Sequence, residues 1–271
     1  MMAEDTVVVE RLPLGASNLA LGLVTLNRPA QKNPIDWATI GALQSILDDL
    51  AKDADVRAVA VIGAGDAFSA GGDLKKYIEL QRSAEDFRSF LDDLHALFNF
   101  IQFDLPKPVL ALINGVTAAG GLELALACDV VYASVDARIG DGHLNFGQMG
   151  GGGVLTRLPR RVFQNFGREV MFTGAFLPPE PWAQAGLVNR ILPDREALIA
   201  AAVEFAQSVA NKSPLAVANM KITLNQIREV PFQEAIAHEI AVTHNYCLTS
   251  HDAPEGLNAF AQKRKPKFEG R

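Results

Sequence analysis

Glu123 stands three residues after Gly120, in the stretch Asn114-Gly115-Val116-Thr117-Ala118-Ala119-Gly120-Gly121-Leu122-Glu123-Leu124 that runs on to Asp129. The apolar run Val109 to Ile113 precedes it and reads as a buried strand. Leu122 to Ala127 reads as a compact helix. The order is therefore strand, glycine loop, helix start. N–H groups in the first turn of a helix lack an intrahelical partner and can face a ligand oxygen. Gly120 carries no side chain to obstruct that approach. Glu123 lies about one turn further on the same face. The stretch thus combines an oxyanion donor with a carboxylate able to hold water or move a proton. A plainer account fits the same residues: glycines for tight packing and a glutamate that complements a helix dipole.

A second glycine pair follows another strand. Arg57 to Ile62 is rich in Val and Ile, and beyond Gly63 come Gly65-Asp66-Ala67-Phe68-Ser69-Ala70-Gly71-Gly72-Asp73-Leu74-Lys75. Other elements must position these loops. Val7 to Glu10 and Leu21 to Leu26 read as a hairpin around Gly15 to Asn18. Asp36 is a helix N-cap, and the helix after it runs to about Lys52. A helix from about Ala84 to Phe103 ends at Pro106 and Pro108. Val130 to Ala133 and Arg138-Ile139 read as strands. Residues 140–153 are the least regular part and end in four glycines, Gly150 to Gly153, before a helix from Val154. Helices are expected at Gln164 to Phe172, Pro181 to Ala185 and Arg195 to Ala210, and almost throughout from Pro214. Strand-strand-helix units recur to about Leu192, so the expected division is 1–194 for an α/β core and 195–271 for a helical region.

Composition bounds the function. The chain has 271 residues, 49% of them hydrophobic, enough for a sizeable core. Its net charge of −6 argues against a general nucleic-acid or anionic-membrane binder. No apolar run approaches the eighteen or so residues of a membrane span. Met1-Met2-Ala3-Glu4-Asp5 is acidic and carries no secretory signal pattern. Cys128 and Cys247 lie far apart and form no metal pattern. A cytoplasmic protein with reduced thiols is expected. No P-loop, G-x-G-x-x-G, zincin or G-x-S-x-G motif occurs. His238 and His244 read as helix-surface residues.

The loops resemble those of the enoyl-CoA hydratase/isomerase (crotonase) family. Phe68-Ser69-Ala70-Gly71-Gly72-Asp73-Leu74-Lys75 is similar to its first oxyanion loop, and Asn114 to Asp129 to its second. Thr173-Gly174 with Ala183-Gln184-Ala185-Gly186-Leu187-Val188 resembles a later helix and strand. Glu255 to Phe260 with Lys263-Arg264 resembles the C-terminal helix. The match covers nearly the whole chain in order and spacing. It implies a crotonase-like α/β fold, a spiral of ββα units with a C-terminal helical trimerisation region. It also implies a homotrimer or dimer of trimers, acyl-CoA substrates, and no metal or cofactor beyond the coenzyme A that the substrate carries. The oxyanion donors would be the N–H groups of Gly72 and Gly120, and Glu123 falls on the first of the family's two catalytic glutamates.

The second glutamate is missing. Its motif falls on Ile139-Gly140-Asp141-Gly142-His143, which puts His143 in its place. An imidazole can do acid or base work near pH 7, and Asp141 could orient it. Three chemistries stay open. Hydration of an enoyl-CoA would use Glu123 on water and His143 on the α-carbon proton. Isomerisation needs one shuttle base. Carbon–carbon hydrolysis of a β-keto acyl-CoA needs a nucleophilic water. Hydration is the expected activity, and a binding scaffold of the same fold is the non-enzyme alternative. Ala70, Asp73, Leu74 and Lys75 are candidate substrate contacts, with Lys75 or Lys76 for CoA phosphates. By resemblance, Phe260 and Lys263 would approach the CoA of a neighbouring subunit. Leu80, Phe87, Leu91 and Leu94 are candidates for the acyl pocket or for ordinary core.

Overall fold

Long strands alternate with three-residue strands along the first half of the chain, and the two kinds build separate sheets. The structure, a computed structural model, describes residues 6–271. The stretch Met1 to Asp5, on which the expectation of no signal pattern rests, lies outside the described residues. The first elements are β1 (Val7–Pro13) and β2 (Ala20–Leu26), then α1 (Trp37–Lys52). Next come β3 (Val56–Gly63), β4 (Ala67–Ser69), α2 (Leu74–Leu80) and α3 (Ala84–Asn99). They are followed by β5 (Val109–Ile113), β6 (Val116–Ala118), α4 (Gly120–Ala127), β7 (Val130–Ser134) and β8 (Arg138–Gly140). The remainder is α5 (Val154–Arg161), α6 (Gln164–Thr173), α7 (Pro179–Gln184), β9 (Arg190–Leu192), α8 (Arg195–Ala210), α9 (Pro214–Gln226), α10 (Phe232–Thr249) and α11 (Asp252–Ala261).

The large sheet has the order β1-β2-β3-β5-β7-β9, and the small one β4-β6-β8. β1 and β2 form the expected hairpin, with Pro13 opposite Ala20. The other strand pairings within the two sheets are parallel. A parallel strand covered on both sides reads as an unbroken apolar run, as β5 does: all five of its residues are buried. β3, β5 and β7 each pass through a tight turn into a short strand. At two of these turns a glycine is obligatory. A Cβ on Gly63 would overlap the Ala67 carbonyl oxygen, and one on Gly115 the Asp66 carbonyl oxygen.

One face of the large sheet packs on α1, α3 and α4 through residues such as Leu43, Leu97 and Leu124. The opposite face takes α8, whose Leu198, Ala202 and Ala206 meet Leu21, Ile62 and Leu112. The first helix after residue 194 therefore completes the sheet's second apolar layer. α10 is different: none of its residues is buried, and Phe232, Ile240 and Leu248 are exposed. No helix among the described residues is long and apolar enough to cross a membrane.

Asp36 caps α1, accepting from the Thr39 N–H, as its sequence position predicts. The expected helix to Phe103 instead ends at Asn99 and continues as one π-helical turn, Phe100–Asp104. That turn hands out polar groups. Lys221 of α9 is buried and donates to the Ile101 and Lys107 carbonyls at 2.7 and 2.9 Å, while pairing with Asp129 at 2.9 Å. The residues after Ala70 also differ from expectation, because α2 forms a separate helix capped by Asp73.

Candidate active site

The three short strands lie side by side, and the chain leaving each one delivers one part of a single cavity. β4 leads to Gly71-Gly72, β6 to Ala119-Gly120, and β8 to Asp141-Gly142-His143. The cavity measures ≈ 290 Å³. Ala70, Gly72, Leu74, Gly120, Glu123 and His143 all line it. Leu91 and Leu94 of α3 face it as well, so these two belong to the pocket. An adjoining cavity shares Ile35, Gly72, Tyr77 and Phe90 and is bordered by Asp73, Lys76 and Leu80. Phe87 packs edge-on against Tyr77, at 5.4 Å between ring centres.

Not every candidate comes to the cavity. Asp73 accepts from the Lys75 and Lys76 N–H groups as the cap of α2. Lys75 borders neither cavity, and Lys76 pairs with Asp36 at 2.9 Å. Phe260, 86% exposed, and Lys263 lie away from both cavities of their own chain.

The two glycine pairs divide their labour. A Cβ on Gly121 would overlap the Ser69 carbonyl oxygen, so Gly121 is there for packing of α4 on β4. Gly71 has φ +92°, and a Cβ there would stand 2.8 Å from that of Ala119. Gly120 and Gly72 have room: added Cβ atoms would find neighbours no nearer than 3.5 and 3.9 Å. The N–H groups of Gly72 and Gly120 make no hydrogen bond among the described residues. The packing account thus holds for one glycine of each pair, and the open amide belongs to the other. Ala119 pays for this geometry with φ +46°, a conformation that costs an alanine about 1–3 kcal/mol. Its N–H donates to the Asp141 carbonyl at 2.9 Å, which ties the second loop to the third.

Glu123 is 2% exposed. Its Oε1 accepts from the Gly152 N–H at 2.8 Å and the Val154 N–H at 3.1 Å. Oε2 makes no hydrogen bond among the described residues. The glycine run that sequence reading leaves as irregular loop is therefore the cradle of the carboxylate. Burial raises the Glu123 pKa above the ordinary carboxylate range, against the lowering effect of His143 and of the two amides. His143 Nδ1 is 2.7 Å from Asp141 Oδ1, which leaves Nε2 as the nitrogen free to exchange a proton. Burial lowers the imidazole pKa, but the bond to Asp141 and the charge of Glu123 outweigh it, and the result is a raised pKa. Spacing alone does not reveal the Asp141–His143 bond. A left-handed Gly142 (φ +68°) turns the chain so that residues two apart can meet. Tyr77, Phe90 and Phe176 complete the walls, and no local pattern marks them as lining.

A carboxylate, an imidazole and a pair of backbone amides that make no hydrogen bond among the described residues therefore line one cavity, near the ends of parallel short strands. Among the described residues no group of three or more His, Cys, Asp or Glu is arranged around a metal position. Residues 16–271 match the family model "Enoyl-CoA hydratase/isomerase". The chain is 34% identical to the 2,3-dehydroadipyl-CoA hydratase of Escherichia coli, over 92% of this chain and 95% of that protein. It is 33% identical to a probable mitochondrial enoyl-CoA hydratase of Dictyostelium discoideum, over 92% and 87%. The crystal structure of an enoyl-CoA hydratase from Bacillus anthracis superposes with a TM-score of 0.89 at 30% identity, covering 98% of this chain and 100% of that one. The chain belongs to the enoyl-CoA hydratase/isomerase family and has the crotonase fold.

Three outcomes follow from the geometry. Gly121→Ala will lower stability by about 1–3 kcal/mol, read as a fall in urea midpoint, while Gly120→Ala will stay within about 1 kcal/mol of wild type. The raised pKa of folded His143 contributes stability that is complete below the unfolded imidazole value and is lost as pH rises through the folded value. The urea-midpoint gap between wild type and His143→Gln will therefore be larger at about pH 5.5 than at about pH 8.5. In Asp141→Asn the His143 ring will titrate at lower pH by NMR.

Proposed function

We propose that the protein adds water across the α,β double bond of an enoyl-CoA thioester. The observation that carries this reading is the convergence on one cavity of a buried carboxylate, bound through one oxygen only, an aspartate-oriented imidazole and two unengaged amides. The thioester oxygen would sit between the Gly72 and Gly120 N–H groups. As charge builds on that oxygen the fixed amides stabilise it, and losing one such donor typically costs about 3 kcal/mol. Glu123 Oε2 holds a water, takes a proton from it, and its oxygen bonds to the β-carbon. Protonated His143 delivers a proton from Nε2 to the α-carbon. A proton passing from Glu123 to His143 restores the starting pair.

Each group raises the other's tendency to be ionised: Glu123 favours the imidazolium, and His143 favours the carboxylate. Hydratase-named relatives support hydration over isomerisation. Asp73 contributes as the cap that fixes Leu74 at the rim, and no cofactor is required beyond the CoA of the substrate. The apolar faces of α9 and α10, with Met220, Leu224 and Ile240 exposed, support assembly as a homotrimer or dimer of trimers. Phe260 and Lys263 would then meet the CoA of a neighbouring subunit, and Lys75 or Lys76 the phosphates of their own.

The Asp141–His143 bond also favours a second reading. An imidazole backed by a carboxylate can act as a base toward water, as carbon–carbon hydrolysis of a cyclic β-keto acyl-CoA requires. The discriminating assay is turnover of crotonyl-CoA and of longer and cyclic enoyl-CoAs, followed by loss of the conjugated thioester absorbance. Hydration is expected, with Glu123→Gln slower by about 10²-fold or more while binding of the CoA ester persists. No hydration anywhere in the panel, together with cleavage of a β-keto ester, would replace this reading with the second. Binding without turnover of either would leave a scaffold.

A further inference from the structure

The glycine run that binds Glu123 is also held by two polar side chains, His95 and Arg157, that do not line the cavity. His95 of α3 is half-buried, and its Nε2 is 2.8 Å from the Gly151 carbonyl oxygen. A carbonyl only accepts, so Nε2 carries the hydrogen, and a neutral ring suffices. Gly151 C=O and Gly152 N–H belong to one peptide group. That N–H donates to Glu123 Oε1 at 2.8 Å. His95, one peptide and Glu123 thus form an unbroken chain of two hydrogen bonds.

The neighbouring groups show what His95 is placed to control. The second amide on Glu123 is that of Val154, and its peptide carbonyl, Gly153 C=O, accepts from the Arg157 N–H at 2.7 Å. The buried Arg157 side chain donates to the Gly152 carbonyl at 3.1 Å, to Gln102 at 2.9 Å and to Asn99 at 2.7 Å. The Gly153 and Gly152 carbonyls are therefore held by α5 itself. Among the described residues, it is the Gly151 carbonyl of this run that a side chain from another element holds. Sterically the run cannot stiffen itself: a Cβ at Gly152 would overlap Glu123, and one at Gly151 would stand 2.8 Å from Leu91. Four glycines in sequence carry the largest backbone freedom available, so an external fastening has the most to restrict. Hydrogen bonds in such a chain also polarise one another, so a donor on the carbonyl strengthens the amide on its other side.

We propose that His95 is a positioning residue for Glu123. It acts through the Gly151–Gly152 peptide, fixing the amide that orients the carboxylate and sharpening that amide as a donor. The proposal rests on the catalytic reading of Glu123 given above. Its signature is a loss of turnover without a loss of substrate affinity, because His95 itself does not line the cavity.

The test compares the full-length protein with His95→Leu, His95→Phe and His95→Gln, on the best enoyl-CoA substrate found for the wild type. Gln can return an N–H to the Gly151 carbonyl, whereas Leu and Phe cannot. The expected result is a kcat at least tenfold lower in His95→Leu with KM within twofold of wild type, and recovery of most of that loss in His95→Gln. His95→Phe keeps the ring volume and is expected to match His95→Leu, and it serves as the donor-free variant should His95→Leu not fold. Wild-type kcat in the donor-free variants would overturn the proposal. So would an equal loss in His95→Gln and His95→Phe, or a change confined to KM. Glu123→Gln in the same assay separates the two readings: if that variant keeps full turnover, the catalytic reading of Glu123 has failed, and the proposal with it. If it is inactive while all His95 variants behave as wild type, only the His95 proposal falls.

Discussion

A carboxylate that has lost nearly all contact with bulk water sits at the centre of this fold. Left unpaired there, a charged glutamate would cost several kcal/mol and would take up a proton instead. The Gly152 amide of the glycine run, the Val154 amide at the start of α5 and the imidazole of His143 offset that cost. Glu123 explains one glycine of the run directly: a Cβ on Gly152 would overlap the carboxylate that its own amide binds. The position of α5 follows in turn, since its first turn and Arg157 hold the far side of the same run.

The small sheet provides the second half of the arrangement. Its strands are three residues long, too short to add much stability, yet parallel pairing fixes where each one ends. The chain leaving each end brings one group to the cavity: the Gly72 amide, the Gly120 amide, and the Asp141–His143 pair. The cost of this precision is local. Gly63, Gly115 and Gly121 are needed so that backbone can approach backbone, and Ala119 holds a conformation unfavourable for any residue with a Cβ. The large sheet and the helices on its two faces carry the stability that supports those costs.

Much of this could be read from the chain. Long apolar strands, the Asp36 cap and the helices at Ala84 and Arg195 announce themselves by pattern, and Glu123 with its glycine pairs stands out by residue type. β4 and β6 do not, because three residues show no alternation, and they look like loop. The role of Gly150 to Gly153 was hidden because it acts through backbone amides, which every residue has. His95 was hidden for another reason: its partner, the Gly151 carbonyl, is 56 residues away, and no sequence period records that contact. Asp141 stood out as a candidate to orient His143, but the bond itself needed the left-handed turn at Gly142. The splitting of each glycine pair into a packing glycine and an open one likewise needed coordinates.

The central claim is that the Gly72 and Gly120 amides grip a thioester oxygen beside Glu123. The most direct measurement is the 13C NMR shift of an enoyl-CoA labelled at the thioester carbonyl and bound to the Glu123→Gln variant, which holds substrate without consuming it. Polarisation by two fixed donors will move that resonance downfield of its position in free solution. A bound ligand whose carbonyl resonance stays at the solution value would contradict the account.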